Sequence, residues 1–409
     1  MNLKPHVPHP SLSVCSRRDL LKGAAALAFG RLARPAFAQQ AGSVLAYIGT
    51  YTPNGLGIHI LSVNPADGSL TMVKAVTGTT NPSSIAFDAS KKFLFAVNEI
   101  SNYNGSKSDG SVTAFTVNRA TGDLTPVNVV SSHGAGPAHI SVAGSGNYVL
   151  VSNYGGGTIS VIPFDPNTGA LGAATDVETL SGPLGPLHPV EAPFGSFAIS
   201  GHDAHHAHMA ATDPSGKWVI GTDLGGDRIY VWQFNTTSGT LTPANPPSIA
   251  ASLGAGPRHF AFHPNGRWCY IINEEASSLA FMQFDPVSGS LQPQQILSTL
   301  PMGFLGTNYT SEVAVSADGN FVYGANRLHD TIAVFSINST GGLALLGETS
   351  TGGDYPRSFG IEPSGSYMYV LNQRSDNIGI LKIDRTTGLL TQTGLYNGVG
   401  SPSSIAFLS

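Results

Sequence analysis

Cysteine and charge are both scarce in this chain, and each scarcity excludes a class of protein. Two cysteines occur in 409 residues, and Cys15 lies in an N-terminal segment that we expect to be removed. Cys269 would then be alone in an apolar strand, so the mature chain can form no internal disulfide, and we expect an inert core residue. Charged residues make up 11% of the chain and the net charge is −5, which leaves no basic surface for nucleic acid.

Long apolar runs are also missing. The largely apolar run at residues 23–33 is too short to span a bilayer. Arg17 and Arg18 precede it, and the segment Ala36-Phe37-Ala38 follows it, a pattern typical of a twin-arginine export signal. We therefore expect residues 1–38 to be a signal peptide that is cleaved after Ala38, with the Tat translocase as a partner during export. The mature protein would be periplasmic or secreted, exported already folded, and without a membrane anchor.

Turn residues, by contrast, are abundant and regularly spaced. The chain has 49 glycines and 27 prolines. A phrase of Asn or Asp, a small turn, Gly and Leu returns seven times, at intervals of about 50 residues that indicate a repeat architecture. Asx and Gly supply the backbone angles of a hairpin turn, so the chain forms the same hairpin seven times. The copies end at Leu70, Leu124, Leu171, Leu241, Leu291, Leu343 and Leu390.

Each unit carries a second phrase, such as RHFAFHPNGRWCYIINE at 258–274, with two apolar strands around a tight turn. An alternating third strand, the hairpin phrase and a looser fourth strand follow. Four strands per unit predict an all-β fold, a seven-bladed β-propeller of four-stranded antiparallel sheets over residues 39–409. The segment at 401–409 matches only a first strand, so we expect N- and C-terminal strands to share the last blade and close the ring. An insertion around residues 178–206 explains the one long gap between copies.

Alignment of the units places charged side chains in two rows at one mouth of the central channel. Strand direction brings together the start of each first strand and the end of each second strand. Cations, carboxylates and imidazoles around a concave mouth suit an anionic small ligand with acid and base groups at hand. The alternative is that these charges face water or pair with one another. The residues singled out are His208, Arg258, His259, Glu312 and Arg357 in the first strands, and Glu99, Glu274, Asn326 and Arg327 at the second.

A histidine cluster, His202, His205, His206 and His208 in GHDAHHAHM, invites a metal interpretation. The spacing could ligate zinc, but no helix aligns the side chains. We therefore interpret the segment as a loop that shapes the mouth and predict neither a metal nor another cofactor. The chain also lacks G-x-S-x-G, H-E-x-x-H and P-loop motifs, which disfavours a serine nucleophile or a zinc protease.

Several phrases resemble one family. GPRHFAFHPNGRWCYIINE, SADGNFVYGANR, YPRSFGIEPSGSYMYVLNQRSDNI and TDLGGDRIYVW are similar to the lactonase family of seven-bladed propellers. That family includes the propeller type of 6-phosphogluconolactonase and the fungal carboxy-cis,cis-muconate cyclase. The resemblance covers the chain from about Leu45 onward, and it implies four catalytic residues, His208, Arg258, Glu274 and Arg327.

These observations predict a lactone hydrolase that opens a sugar-derived or carboxylated lactone. Arg258 and Arg327 would hold an anionic group or the developing oxyanion. His208 or Glu274 would activate water, and the other would protonate the leaving alkoxide. The predicted substrate-binding residues are His259, Glu99, Glu312, Asn326 and Arg357. Two alternatives stay open: an exported, non-catalytic propeller that binds a ligand or protein partner, and a muconate-type lactonising enzyme.

Overall fold

The computed structural model describes residues 44–199 and 201–409, and these form seven four-stranded antiparallel sheets, each of which is one blade. The predicted seven-bladed β-propeller is confirmed. The predicted signal peptide lies outside the described residues. In the part of the chain that is described, no helix is long and apolar enough to cross a membrane.

The strands follow the chain blade by blade. Three strands of blade 7 come first: β1 (Val44–Thr50), β2 (Ile58–Val63) and β3 (Leu70–Val76). Blade 1 contains β4 (Ile85–Phe87), β5 (Phe93–Asn98), β6 (Ser111–Asn118) and β7 (Asp123–Ser131), with a short 3₁₀ turn at Tyr103–Gly105. Blade 2 contains β8 (Pro137–Val142), β9 (Tyr148–Asn153), β10 (Thr158–Pro163) and β11 (Asp176–Thr179). Blade 3 contains β12 (Ala207–Thr212), β13 (Trp218–Asp223), β14 (Arg228–Asn235) and β15 (Thr240–Ala250).

The second half of the chain repeats this order. Blade 4 contains β16 (Pro257–Phe262), β17 (Trp268–Asn273), β18 (Ser278–Phe284) and β19 (Leu291–Ser298). Blade 5 contains β20 (Thr310–Val315), β21 (Phe321–Asn326), β22 (Thr331–Ile337) and β23 (Leu343–Ser350). Blade 6 contains β24 (Pro356–Ile361), β25 (Tyr367–Asn372), β26 (Asn377–Ile383) and β27 (Leu390–Gly398). The last strand is β28 (Pro402–Leu408).

The two ends of the propeller chain meet in blade 7. Strand β28 pairs antiparallel with β1, from Leu45 opposite Leu408 to Gly49 opposite Ser404, and β1 pairs with β2 on its other side. The prediction that terminal strands share the last blade is therefore confirmed. The pairing removes a free sheet edge from the inside of the ring.

The core lies between the blades. Seven apolar clusters are present among the described residues, and each is built from two adjacent blades. The second strands β5, β9, β13, β21 and β25 are buried along their whole length, because both of their faces pack against neighbouring sheets. The sequences of these strands are therefore continuous apolar runs, without alternation of apolar and polar residues.

The repeated hairpin phrase also joins the blades to one another. The turn glycine Gly289 has a φ of 75°, and a Cβ there would lie 2.5 Å from the ring of Trp218 in the preceding blade. Glycine is needed at this turn both for its positive φ and for this close approach. Elsewhere a tyrosine hydroxyl of one blade donates to the turn-glycine carbonyl of the next, as from Tyr270 to Gly341 at 2.9 Å and from Tyr323 to Gly388 at 3.1 Å.

The innermost strands share a backbone irregularity that matters for the site. In the pairing of β16 with β17, Pro257 lies opposite Asn273 and His259 opposite Ile272, so Arg258 is an extra residue in the ladder. A bulge of this kind bends the strand and redirects a side chain. The same register shift leaves an extra residue in the first strands of other blades, at Ala138, His208, Arg357 and Ser403.

Candidate active site

The bulged ends of the first strands and the ends of the second strands meet at one mouth of the channel, as predicted from strand direction. Glu274 follows β17 directly, and its backbone N–H donates to the carbonyl of Gly256, just before β16. Arg327 follows β21, and its N–H donates to the carbonyl of Tyr309, just before β20. The backbone thus places the side chains of both rows around a single opening.

Glu274 is the centre of the charged group at this mouth. One of its oxygens lies 2.9 Å from Nε of Arg258 and 2.6 Å from Nη2 of Arg327. Burial alone would raise the pKa of Glu274, but Arg327 and Arg258 outweigh burial and hold that pKa below its usual value. The carboxylate is therefore ionised and is shared by two guanidinium groups, so positive charge is in excess here.

Both arginines are held rigidly. Arg258 is 1% exposed and Arg327 is 4% exposed. Arg258 donates to the carbonyl of Ser311, and Arg327 donates to the carbonyl of Thr310 at 2.8 Å. Burial, with the charge of Arg327, lowers the pKa of Arg258 to about 10, which leaves the side chain charged at neutral pH. Nε of Arg258 contacts Glu274 without a hydrogen bond, because its N–H is not directed at the carboxylate.

Two aromatic rings frame Arg327, and the sequence interpretation missed them. The guanidinium carbon of Arg327 lies 5.6 Å from the ring centroid of Tyr309 and 5.2 Å from that of Tyr355. Both tyrosines stand one place before a first strand, at Thr310 and Pro356. A comparison of that position across units could have found them. Such contacts fix the plane of a guanidinium and add favourable cation–π energy.

A second polar group lies one residue deeper in the channel. His259 Nδ1 is 2.9 Å from a carboxylate oxygen of Glu312, and the Ser358 hydroxyl donates to the other oxygen at 2.9 Å. The ring of His208 lies 4.9 Å from that of His259. Burial, with the charge of Arg258, holds the pKa of His208 well below its usual value, and burial also lowers the pKa of His259. Both imidazoles are therefore neutral at neutral pH.

A cavity of about 170 Å³ opens beside these groups and is bordered by Arg258, His259, Glu312 and Arg357. Pockets for drug-sized ligands measure roughly 300–1,000 Å³, so this space suits a small molecule. A larger cavity of about 330 Å³ lies between blades 5 and 6 at the other end of the strands. The carboxylates of this larger cavity, Asp318 and Glu362, accept hydrogen bonds from backbone N–H groups of their own turns. Because these bonds account for the two carboxylates as part of the turns, we place the chemistry at the mouth.

Glu99 and Arg357 complete the ring of charges. Arg357 Nη2 lies 3.8 Å from Glu99, and the Tyr51 hydroxyl donates to the same carboxylate oxygen at 2.5 Å. Glu99 and Tyr51 together raise the pKa of Arg357 despite its burial. The structure therefore brings together eight of the nine residues singled out from the sequence.

Asn326 is the residue that the structure places elsewhere. Its side chain is fully buried, and its amide contacts Thr299, Asn308 and Thr331 within the blade scaffold. The neighbouring Arg327 points to the mouth instead. Adjacent residues at a strand end face opposite directions, so the two side chains cannot both reach the ligand. The Asn326 amide therefore bonds within the blade and not at the mouth.

The histidines of the insertion each have a separate partner. His202 lies 2.9 Å from Asp227, His205 lies 2.6 Å from Asp223, and His206 stacks on Tyr154 with ring centroids 4.1 Å apart. No group of three metal-ligating side chains occurs within residues 44–199 and 201–409. These contacts attach the insertion to blades 2 and 3, which keeps the loop at the mouth.

Comparisons with known proteins agree with this architecture. The family model described as "Lactonase, 7-bladed beta-propeller" matches residues 45–407. The chain is 31% identical over 315 residues to a 6-phosphogluconolactonase of Bacillus subtilis, covering 76% of this chain and 83% of that one. A solved structure of a putative 6-phosphogluconolactonase from Bacteroides fragilis has a TM-score of 0.80 at 28% identity and covers 90% of this chain and 98% of its own.

A periplasmic gluconolactonase of Pseudomonas aeruginosa has the same TM-score of 0.80, at 27% identity, and covers 90% of this chain and 99% of its own. The resemblance noted in the sequence is confirmed. The chain belongs to the seven-bladed β-propeller lactonase family.

Proposed function

We propose that this protein is a lactone hydrolase that uses water to open a small sugar-derived or carboxylated lactone. The observation that carries the proposal is the Arg258–Glu274–Arg327 group, in which two buried guanidinium groups share one carboxylate and Arg258 borders a small cavity together with His259. The names of the relatives support the same reaction class. No cofactor is required for this chemistry.

The arginines supply the electrostatic part of the mechanism. Water adds to the carbonyl carbon of the lactone ring, and the carbonyl oxygen becomes negatively charged. Arg258 and Arg327 stabilise this charge in a site shielded from solvent. The ring C–O bond then breaks, and the leaving alkoxide takes a proton. Two guanidinium groups hold the Glu274 carboxylate, which makes it a poor proton acceptor. We therefore assign water activation to a mouth histidine and give Glu274 the role of positioning the arginines.

A panel of lactones tests this function. Acid release is followed by pH-stat for a sugar lactone, its 6-phosphate ester and an aromatic-derived lactone acid, with the uncatalysed rate subtracted. Glu274→Gln removes the charge that aligns both arginines, so we expect turnover to fall on the order of 10²-fold. Glu348→Gln, a carboxylate that pairs with His329 away from the cavity, is the matched control. No acid release from any lactone would contradict the proposal.

A second candidate function is supported by one observation. The insertion carries exposed apolar side chains, including Phe194 at 83% and Ile199 at 87% exposure, and apolar surface of this kind often marks a docking site. A non-catalytic propeller that binds a protein partner would give no acid release and would retain a partner in pull-down. A muconate-type lactonising enzyme would instead form the lactone from an unsaturated diacid, which the same panel detects by including that diacid.

We also propose export to the periplasm. The twin-arginine pattern at Arg17 and Arg18 and the periplasmic relative support it. The first strand begins at Val44, so cleavage after Ala38 would leave every strand of the propeller in the mature chain. Replacing both arginines with lysine should retain the protein in the cytoplasm, as measured by fractionation; continued export would contradict the proposal.

A further inference from the structure

One histidine at the mouth is oriented by a carboxylate. His259 Nδ1 lies 2.9 Å from Glu312, and the Glu312 carboxylate is itself held by the Ser358 hydroxyl at 2.9 Å and by the backbone N–H of Val313 at 3.2 Å. A carboxylate accepts hydrogen bonds and cannot donate them when ionised. His259 therefore carries its proton on Nδ1, which leaves the lone pair of Nε2 available.

That second nitrogen is buried and has no hydrogen-bond partner in the described part of the chain. A buried polar atom without a partner is uncommon in folded proteins and points to a functional role. His259 also borders the 170 Å³ cavity together with Arg258. His259, with its unpartnered nitrogen, and the fixed cation of Arg258 thus border the same small space.

The other acid and base candidates lack this arrangement. The Glu274 carboxylate is held between two arginines, which stabilises its ionised form against protonation. His208 has no carboxylate on Nδ1, and that atom has no partner either, so nothing in the described residues fixes its tautomer. Only His259 among the three has both a free nitrogen and a group that orients the ring.

We infer that His259 is the general base that activates water for lactone opening, with Glu312 as its positioning residue; this rests on the lactone hydrolase function proposed above. Nε2 takes one proton from water as the water oxygen bonds to the ring carbonyl carbon, and the carbonyl electron pair moves onto oxygen beside Arg258. When the tetrahedral intermediate collapses, the ring C–O bond breaks and the leaving oxygen takes the proton from Nε2. The product is a hydroxy acid, and His259 returns to its starting state.

Glu312 serves two physical purposes in this step. It keeps the tautomer with Nε2 unprotonated, and it stabilises the imidazolium that forms during proton transfer. Burial would raise the pKa of Glu312, but His259, Arg258 and Ser358 outweigh burial and hold it at about 2. The carboxylate is therefore charged throughout the working pH range.

The test compares kcat, KM and the pH profile of the full mature chain with those of His259→Gln and Glu312→Gln, on the best lactone of the panel. General base catalysis contributes typically 10²–10⁴-fold, so His259→Gln should lower kcat by that factor with KM changed little. Glu312→Gln should lower kcat at least tenfold on the same grounds.

The pH profile separates a positioning role from a structural one. Activity should fall as pH decreases through the pKa of His259, which lies below the usual histidine value. The groups that face His259 are Glu312, Arg258, His208, His139 and Arg357, and Glu312 is the one that favours its protonation most. Its loss should therefore move the acidic limb to lower pH. An unmoved limb in Glu312→Gln would overturn the assigned role of Glu312.

Controls keep the result interpretable. His329→Gln removes another histidine paired with a glutamate, 3.0 Å from Glu348 and outside the cavity, and should keep kcat within about twofold. His259→Asn retains a donor near the Nδ1 position and lacks Nε2, so it replaces His259→Gln if that variant does not fold. Wild-type kcat in a folded His259 variant, with Arg258→Gln inactive, would overturn the inference and leave lactone hydrolysis standing. An inactive wild type would instead overturn the function itself.

Discussion

The two ends of the propeller both contain carboxylates that are buried or half-buried, but these have different partners. At the turn end, Asp213 accepts hydrogen bonds from the backbone N–H groups of Ser215, Lys217 and Trp218. At the mouth, Glu274 and Glu312 pair instead with arginine and histidine side chains from neighbouring strands. The turn-end carboxylate satisfies its own backbone, whereas the mouth carboxylates hold other side chains in place.

This difference shows how a repeated fold separates stability from chemistry. The turn between the first and second strands has backbone N–H groups that need an acceptor. The carboxylates of Asp88 and Glu362 accept hydrogen bonds from such groups, as Asp213 does. At the mouth, the bulged residue changes from blade to blade at the same register, with Ser403, Ala138, His208 and Arg258 at equivalent positions. The backbone is common to all blades, and the side chain at the bulge decides what the site does.

The largest expected effect concerns the mouth. Arg258→Gln keeps a long polar side chain but removes the charge beside the cavity, so kcat/KM should fall roughly 10²–10³-fold, as for loss of an oxyanion donor. Arg267→Gln, an exposed arginine at the turn end, is the control and should retain activity. Steady-state kinetics on purified proteins measure both. Equal activity in the two variants would contradict the assignment of the chemistry to the mouth rather than to the turn end.

A substitution at the turn end should lower stability and leave activity unchanged, the opposite of a substitution at the mouth. Asp213→Ala removes the acceptor of the buried Trp218 N–H and of the part-buried N–H groups of Ser215 and Lys217, and we expect the free energy of unfolding to fall by about 2 kcal/mol. The kcat of the folded fraction should stay unchanged, because Asp213 is far from the cavity along its strand. Urea unfolding followed by fluorescence, together with kinetics at low temperature, measures the two quantities. A large loss of kcat with unchanged stability would be the reverse of this prediction.

Glu275 is a mouth carboxylate that forms no salt bridge within the described residues, and one of its oxygens has no hydrogen-bond partner there. It is 2% exposed and accepts one hydrogen bond, from the backbone N–H of Gly201 at 3.0 Å. Burial and the nearby Glu274 raise its pKa to about 7. Because the folded-state pKa exceeds the unfolded one, its contribution to stability is complete below about pH 4.3 and is lost as pH rises through 7.

Glu275→Gln should therefore gain stability relative to wild type as pH rises from about 4.5 to 7.5, by roughly 2–3 kcal/mol. The buried histidines at the mouth titrate in both proteins, so the difference between the two unfolding free energies isolates Glu275. Urea unfolding at several pH values gives this difference. A difference that is constant with pH would show that Glu275 is ionised in the folded protein.

The smallest expected effect is on stability, from the loss of a hydrogen bond between adjacent blades. Tyr270→Phe removes one hydroxyl that donates to Gly341 in the next blade at 2.9 Å, so the free energy of unfolding should fall by about 1 kcal/mol. Activity should stay within twofold, because the hydroxyl lies outside the mouth. Thermal unfolding and lactone turnover on the same preparation measure both. A loss of several kcal/mol would mean that blade contacts depend on this bond more than on apolar packing.

The sequence predicted the fold well because hairpin turns require particular residues at fixed places. It also placed Arg258 and Glu274 at one mouth, since strand direction determines which ends meet. It did not show that Glu274 bridges two arginines, because the bulge at Arg258 adds one residue that alternation of apolar and polar positions does not reveal. The pairing of His259 with Glu312 joins two blades across 53 residues, so it depends on how neighbouring sheets pack. The sequence also did not show that the Asn326 amide bonds within the blade, since a row by itself does not say which way each side chain faces.

The sharing of blade 7 by the two ends of the chain has a consequence for the order of assembly. Strand β1 is made well before its partner β28 (Pro402–Leu408), because the strands of the other six blades lie between them in the chain. During that interval β1 can pair with β2 on one side only, and its other edge stays open to unwanted partners. Blades 1 to 6 can form in sequence, but the ring of blades closes only when β28 pairs with β1. The seven-residue strand β28 therefore closes the ring of blades by pairing with β1.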